Sequence, residues 1–175
     1  MKQSELITAA LKGDATLVVK NARVVNVFTN EILEGDVALS EDTIIGVGKG
    51  FAAREEIDAG GAYLCPGFID AHVHIESSMV IPDSFSRVIM PHGTTTIIAD
   101  PHEIANVCGV AGVRAIYKLS DDLPLRVLFM MPSCVPATPF ENSGATLTAE
   151  DMEQFMRKSR ILGLGEVMDL SLIHI

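Results

Sequence analysis

The chain has 175 residues, of which 48% are hydrophobic and 21% are charged, so it carries enough apolar side chains for a folded core. This composition argues against an intrinsically disordered protein. The formal net charge of −10, without a long run of lysine and arginine, argues against nucleic acid or an anionic membrane as the main partner.

The sequence contains no pattern typical of a signal peptide or a membrane span. The first residues, MKQSELITAALKGD, lack an apolar run of signal-peptide length, and no segment approaches the roughly 20 apolar residues of a membrane helix. Cys65, Cys108 and Cys134 are widely spaced and include no CxxC pair. Thiols in this arrangement favour a reducing compartment over a disulfide framework. We therefore expect a cytoplasmic protein.

Residues 1–64 are predicted to form a short helix followed by a small sheet. The helix is expected over residues 4–11, with Gly13 as its C-cap. From residue 16 to about residue 50, the runs TLVVKN, RVVNVF, DVALS and TIIGVG are rich in β-forming residues and predict an antiparallel sheet. The predicted turns between them lie at Asn30-Glu31, Gly35-Asp36 and Glu41-Asp42.

Residues 65–169 show strand patterns that alternate with helix patterns. The predicted strands cover residues 68–74, 94–99, 125–130 and 161–167. The predicted helices cover residues 82–90, 110–119 and 148–156, the last opened by a capping box of Thr148 and Asp151. Four strands alternating with three helices predict an α/β fold with a parallel sheet. A (β/α)8 barrel needs about 250 residues, so the region is either an open sheet or the first half of a barrel.

Two histidines stand at the end of the first predicted strand of this region. His72 and His74 are two residues apart, so both imidazoles project from one face of the strand and can share a cation. Asp70 lies on the same face, and Glu76 follows the strand. An HxH pair alone is also compatible with an exposed, polar strand end. Its position at the carboxyl end of a barrel strand favours a catalytic site.

The segment Asp100-Pro101-His102-Glu103 directly follows the second predicted strand, TTTIIA. It places titratable groups at the carboxyl end of that strand as well. Asp100 could instead serve as the N-cap of a helix with Pro101 in its first turn. The sequence leaves both interpretations open, and one residue can serve both.

A single carboxylate, Glu166, marks the end of the fourth predicted strand. Gly163 and Gly165 beside it leave room for the close approach of a ligand. A lone glutamate at such a place is often a solvated strand terminus. However, three polar clusters at the carboxyl ends of successive parallel strands would converge on one mouth, which is the usual location of an active site in such folds. No GxGxxG or GxxxxGK[ST] motif follows any strand, which argues against a nucleotide-cofactor fold.

Several segments together resemble one known family. PGFIDAHVHIESS resembles the strand-one signature of the amidohydrolase superfamily, and with GTTTIIADPHEIANV, FMMPSCVPATPFE and LGLGEVMD it resembles the bacterial adenine deaminases within it. The resemblance runs from about residue 17 to residue 169. It implies that residues 65–169 form the first four βα units of a (β/α)8 TIM-type barrel, preceded by part of a small β-sandwich domain in residues 1–64.

The resemblance also implies roles for individual residues. His72, His74 and Glu166 match metal ligands, with Glu166 bridging two divalent metals, most often Mn²⁺, although Fe²⁺ and Zn²⁺ stay open. His102 and Glu103 are expected to be catalytic residues. Further residues are expected to contact the substrate or to support the metal ligands: Asp100, Ser77 and Ser78.

The reaction implied for the full-length parent is the hydrolytic deamination of adenine to hypoxanthine and ammonia, by a metal-activated water. The parent is expected to form a homo-oligomer. The family's histidines from strands five and six and its aspartate from strand eight are missing, so we expect the chain to be an inactive fragment. The tail 170–175, LSLIHI, does not resemble the family and is interpreted as foreign. Two alternatives stay open: an amidohydrolase acting on a cyclic amide, and a non-catalytic metal-binding half-barrel.

Overall fold

The structure is a computed structural model that describes residues 15–169. The helix predicted over residues 4–11 and the tail 170–175 lie outside the described residues. The chain divides after Pro66 into two compact units, each with its own sheet. Within the described range, no helix combines the length and the apolar character needed to cross a membrane.

The first unit contains a five-stranded mixed sheet, whose strands are β1 Ala15–Asn26, β2 Glu31–Ser40, β3 Thr43–Gly48, β4 Ala53–Asp58 and β5 Tyr63–Leu64. The order is β3-β2-β1-β4, and β5 adds by pairing with β1. Strand β2 is antiparallel to both β1 and β3, whereas β4 and β5 run parallel to β1. The antiparallel sheet predicted for residues 16 to about 50 is therefore confirmed, whereas the parallel strands β4 and β5 that follow it were not predicted.

The predicted turn at Gly35-Asp36 is also wrong, because both residues lie inside β2. Gly35 pairs with Ala22 of β1, and a Cβ on Gly35 would lie only 2.6 Å from the carbonyl oxygen of Gly48. Glycine is therefore needed here for the close approach of β3 rather than for a turn. The runs TLVVKN and RVVNVF likewise form one strand, which is interrupted by a bulge where Asn21 has a φ of 55°.

The second unit is built around a parallel sheet, as the alternation of strand and helix patterns predicts. Its strands are β6 Phe68–Val73, β7 Thr94–Ala99, β8 Arg126–Met131 and β9 Ile161–Leu164, and they lie in the order β6-β7-β8-β9. Its α-helices are α1 Pro82–Ile89, α2 His102–Leu119 and α3 Ala149–Met156, and short 3-10 helices span Ile75–Ser78 and Met90–His92.

Local sequence explains most of these boundaries. The capping box predicted at Thr148 and Asp151 is present, with each side chain bonded to the backbone N–H of the other residue. Helix α2 begins eight residues before the predicted start, because it consists of two helical segments joined at Gly109, whose φ and ψ of 59° and −146° are not helical. Strand β9 ends at Leu164, three residues before the predicted end.

The core of the second unit lies where the helices cover alternate residues of the strands. Ile97 and Ala99 of β7, and Val127, Phe129 and Met131 of β8, are buried against residues of α2 and α3 that include Val113, Ile116, Met152 and Phe155. Burying apolar surface in this way is the main stabilising contribution. It also fixes the strands in register, so that their carboxyl ends meet at one edge.

Arg160 connects the end of α2 to the start of β9. Its guanidinium donates to the carbonyl oxygens of Tyr117 at 2.7 Å and Ser120 at 3.0 Å, and it forms an ion pair with Asp121. It also stacks over the Tyr117 ring, 4.1 Å from the centroid. These carbonyls at the helix end have no partner within the helix, so Arg160 satisfies them and complements the helix dipole.

Replacing Arg160 should therefore destabilise the fold more than replacing a nearby surface arginine. We expect Arg160→Lys to lower the free energy of unfolding by roughly 1–2 kcal/mol, because lysine cannot reproduce the forked donors or the stacking. The matched control is Arg157→Lys, whose side chain is 89% exposed and forms an ion pair with Glu153 at 4.0 Å. That change should cost less than about 0.5 kcal/mol. Urea unfolding followed by circular dichroism measures both, and equal midpoints would contradict the role of Arg160.

Candidate metal centre

The two histidines of the predicted pair lie at the carboxyl end of β6, beside an irregularity in the strand. Asp70 pairs with Ile97 and Val73 with Ala99, so three residue steps on β6 face two steps on β7. This extra residue is a β-bulge, and bulges near functional sites commonly redirect a side chain. The backbone N–H of His72, inside the bulge, is bonded to the carboxylate of Asp70 at 3.2 Å.

The side chains of His72, His74 and Glu166 converge on one point. The Nε2 atom of His72 lies 2.7 Å from Oε1 of Glu166 and 3.1 Å from Nε2 of His74. The Nε2 atom of His74 is 3.8 Å from the same Glu166 oxygen. All three ligand atoms therefore fall within 4.8 Å of one another, a separation that one cation can span. Residues 72 and 166 thus meet although they come from opposite edges of the sheet.

Two acceptors fix the tautomer of His74. Its Nδ1 atom lies 2.9 Å from the carbonyl oxygen of Asp100 and 3.0 Å from Oε2 of Glu103. Because both neighbours can only accept a hydrogen bond, Nδ1 carries the proton. In the neutral ring, Nε2 then keeps its lone pair directed at the convergence point. This arrangement is typical of a histidine that binds a metal.

The carboxylates of Glu103 and Glu76 connect the 3-10 helix after β6 to the first turn of α2. Ser77 donates its hydroxyl to Oε1 of Glu103 at 3.1 Å, and Oε1 of Glu76 accepts the backbone N–H of Ile104 at 3.1 Å. Burial raises the pKa of Glu76, whose second oxygen is buried without a partner among the described residues. These bonds hold Glu103 against His74.

Asp100 is fully buried and bonded to the segment that carries Glu166. Its Oδ2 atom accepts the backbone N–H of Glu166 at 3.3 Å, and its own backbone N–H donates to the carbonyl of Val73 at 2.9 Å. Burial raises the pKa of the Asp100 carboxyl. The alternative of Asp100 as a helix N-cap is wrong, because Pro101 occupies that position and the Asp100 carboxylate accepts the backbone N–H of Glu166 instead.

The remaining predicted site residues lie outside the group of three converging side chains. His102 is the first residue of α2 and is not one of the three converging residues; its Nδ1 atom is buried without a hydrogen-bond partner in the described part of the chain. The hydroxyl of Ser78 is bonded to the carbonyl of Ile75 at 2.5 Å and closes the local turn. Ser133, which sequence analysis did not single out, donates its hydroxyl to the carbonyl oxygen of Glu166. Its position two residues after β8 is the signal that could have identified it.

The donor set at the convergence point fits a divalent transition metal. It offers two imidazole nitrogens and one carboxylate oxygen, a combination that Mn²⁺, Fe²⁺ and Zn²⁺ all accept. The side chains of His72, Glu166 and His74 are 49%, 41% and 22% exposed, so the point is open to solvent and to a small ligand. His72, His74 and Glu166 would hold the ion, while the neighbouring carbonyl and carboxylates orient them.

The chain is similar to proteins of known sequence over nearly its whole length. It is 53% identical to an adenine deaminase of Halalkalibacterium halodurans over 95% of this chain and 29% of that protein. It is 55% identical to an adenine deaminase of Clostridium acetobutylicum over 89% of this chain and 27% of that protein. The chain therefore spans under a third of the length of the curated relatives it matches.

Solved structures share the fold at lower sequence identity. A D-hydantoinase (dihydropyrimidinase) from Thermus sp. matches 80% of this chain and 31% of its own, with a TM-score of 0.59 and 23% identity. A triazine hydrolase from Arthrobacter aurescens matches 86% of this chain and 46% of its own, with a TM-score of 0.62 and 16% identity. The amidohydrolase family profile matches residues 63–168. Because that match covers more than half of the 175 residues, the chain belongs to the amidohydrolase family.

Proposed function

We propose that the chain is the N-terminal part of a metal-dependent hydrolase that converts adenine to hypoxanthine and ammonia. The convergence of His72, His74 and Glu166 within 4.8 Å is the observation that carries the proposal. Identity of 53% to a protein named adenine deaminase supports adenine as the substrate. Because the relatives are much longer than this chain, the activity is proposed for the full-length protein.

The proposed architecture is the first half of a (β/α)8 TIM-type barrel. Residues 65–169 would supply four βα units, residues 1–64 would supply part of a small β-sandwich, and residues 170–175 would be an atypical tail. Two observations support the barrel: the sheet is parallel throughout, and its edge strands β6 and β9 expose Ile69 and Leu164. Apolar side chains on sheet edges favour a further layer of protein over them.

In this proposal His72, His74 and Glu166 hold the metal, and Mn²⁺ is the proposed ion. A bound divalent cation would act as a Lewis acid that lowers the pKa of a water molecule toward neutral pH. With the Nδ1 proton donated to Asp100 and Glu103, the lone pair of a neutral His74 ring lies on Nε2, where it is available as a ligand. Glu166 presents one oxygen to the histidines, so its second oxygen can reach a second metal or a reacting proton.

Proton movement toward the leaving ammonia is assigned to His102 and Glu103. Glu103 already contacts the His74 ring at 3.0 Å, and the buried Nδ1 atom of His102 has no partner in the described residues. Groups within hydrogen-bond reach of the reacting atoms are the ones able to act as general acids or bases. Asp100, Ser77 and Ser78 are proposed to support the ligands or to contact the purine.

We also propose a cellular location and an oligomeric state for the protein. All three cysteines are free and two of them are exposed, which is compatible with the reducing cytoplasm. The full-length protein is proposed to form a homo-oligomer, as the family resemblance implies. The partner at the site is a small purine.

Substrate choice tests the proposed function against its alternative. The fold likeness to a D-hydantoinase favours a cyclic amide as the second candidate. We expect the full-length protein, loaded with Mn²⁺, to release ammonia from adenine. Its kcat/KM for adenine should be at least about 100-fold higher than its kcat/KM for ring opening of hydantoin or dihydrouracil. The reason is that a site whose polar groups match one substrate strongly rejects substrates that leave those groups unpaired. Faster opening of a cyclic amide would contradict the proposal. Tight binding of Mn²⁺ without turnover of any of these compounds would instead indicate the non-catalytic module.

A ligand substitution tests the metal centre itself. We expect His72→Asn to weaken Mn²⁺ binding and to reduce adenine deamination by more than about 100-fold each, because losing a ligand costs at least as much as losing an outer hydrogen-bond partner of a ligand. The control is His92→Asn, at the exposed end of a 3-10 helix outside the converging group. It should leave both values within about twofold. Metal content measured by atomic absorption, together with ammonia release, gives the result; equal losses in both variants would contradict the assignment.

A further inference from the structure

Asp100 occupies the junction between the two strand ends that carry the candidate ligands. Its backbone N–H is bonded to Val73 of β6, and its backbone carbonyl lies 2.9 Å from Nδ1 of His74. Its side-chain Oδ2 accepts the backbone N–H of Glu166, which follows β9. Asp100 therefore contacts both sides of the metal centre, while its own side chain is fully buried and does not reach the convergence point.

The backbone beside Glu166 is shaped to admit this carboxylate. A Cβ on Gly165 would lie 2.3 Å from Oδ2 of Asp100, which is closer than two such atoms can approach. Gly165 is not among the glycines with positive φ, so space rather than backbone conformation requires glycine here. At Gly163, two residues earlier, a Cβ would meet only the flexible end of Met130 at 3.7 Å. The close approach is thus specific to residue 165.

The segment around Glu166 is held from two sides. Asp100 accepts its backbone N–H, and Ser133 donates to its backbone carbonyl. With both peptide groups fixed, the direction of the Glu166 side chain depends only on its own rotamers. The Oδ1 atom of Asp100 is buried without a partner among the described residues. A buried carboxylate oxygen without a partner is energetically costly, which favours a role for Asp100 beyond local chain folding.

We propose that Asp100 is a positioning residue for the metal centre. It holds the backbone of Glu166 through its carboxylate and the ring of His74 through its carbonyl, and Gly165 provides the gap that the carboxylate occupies. This inference rests on the proposed metal centre, which it deepens by naming the residue that sets the relative placement of two ligands. The substrate on which the centre acts does not enter the inference.

A Co²⁺ titration of the full-length protein tests the role, because the visible absorption of Co²⁺ reports coordination geometry as well as affinity. We expect Asp100→Ala to weaken Co²⁺ binding by about 10- to 100-fold, the range typical of losing a residue that supports a metal ligand. The visible spectrum of the bound Co²⁺ should change as well. Asp100→Asn keeps an oxygen that can accept the Glu166 N–H, so it should bind within about threefold of the unsubstituted protein. Thermal unfolding of each variant separates loss of positioning from loss of fold.

Gly165→Ala provides an independent arm with a matched control. In the unsubstituted background it should weaken Co²⁺ binding by about tenfold or more, because the new Cβ pushes the Asp100 carboxylate away, whereas Gly163→Ala should have no more than about a twofold effect. In the Asp100→Ala background the clash with the carboxylate is absent and the Cβ meets the carbonyl oxygen of Met131 at 3.3 Å, so adding Gly165→Ala should weaken binding by no more than about threefold further. This non-additivity is the signature of direct contact.

Several outcomes would overturn the inference. The first is a folded Asp100→Ala variant with the Co²⁺ affinity and visible spectrum of the unsubstituted protein. The second is a double variant in which the losses of Co²⁺ affinity from Asp100→Ala and Gly165→Ala multiply. The third is an Asp100→Asn variant that binds Co²⁺ as weakly as Asp100→Ala does. Failure of the unsubstituted protein to bind Co²⁺ would overturn both this inference and the metal centre. Normal Co²⁺ binding with the expected variant effects, but without deamination of adenine, would support this inference and remove only the proposed function.

Discussion

Curvature of the parallel sheet is the constraint on which the candidate site depends. Strands β6 and β9 are separated by β7 and β8, and a flat sheet with about 4.8 Å between neighbours would place them roughly 14 Å apart. Nevertheless, Nε2 of His72 lies 2.7 Å from Oε1 of Glu166. Bending of the sheet toward these side chains, together with the position of Glu166 two residues beyond β9, accounts for the contact. The same curvature, continued through further strands, is what closes a barrel.

Within the curved sheet, backbone groups do much of the positioning. A bulge in β6 redirects the segment around His72, and a backbone carbonyl fixes the tautomer of His74. Glu166 follows a glycine that lets the strand end pass close to a buried carboxylate. The main chain thus contributes to the placement of each ligand, and the side chains of Asp100 and Ser133 hold the peptide groups of Glu166. A site built in this way keeps its geometry although its ligands are partly exposed.

Sequence predicted the parts of this molecule that depend on local patterns. The β-branched run Thr94–Ala99 became β7 with the expected bounds, and the clusters at strand ends identified all three converging residues. Contacts between distant residues were not predictable. The turn residues Gly35 and Asp36 lie in a strand because β3 approaches there, and the carboxylate of Asp100 meets a backbone N–H 66 positions away. No local pattern encodes either approach, since both depend on how strands pair in three dimensions.

The structure also argues against the simpler interpretation of each polar cluster, in which the cluster is only an exposed strand end or a helix cap. A solvated strand terminus would leave the peptide groups of Glu166 to water, yet side chains that follow β7 and β8 bind both its N–H and its carbonyl. A helix cap at Asp100 would point its carboxylate at α2, yet the carboxylate points at the end of β9. An exposed histidine pair would be free to rotate, yet His74 is held at Nδ1 by two acceptors. Each cluster is restrained by another, so the placement of each candidate ligand depends on the geometry of the whole group rather than on any one residue.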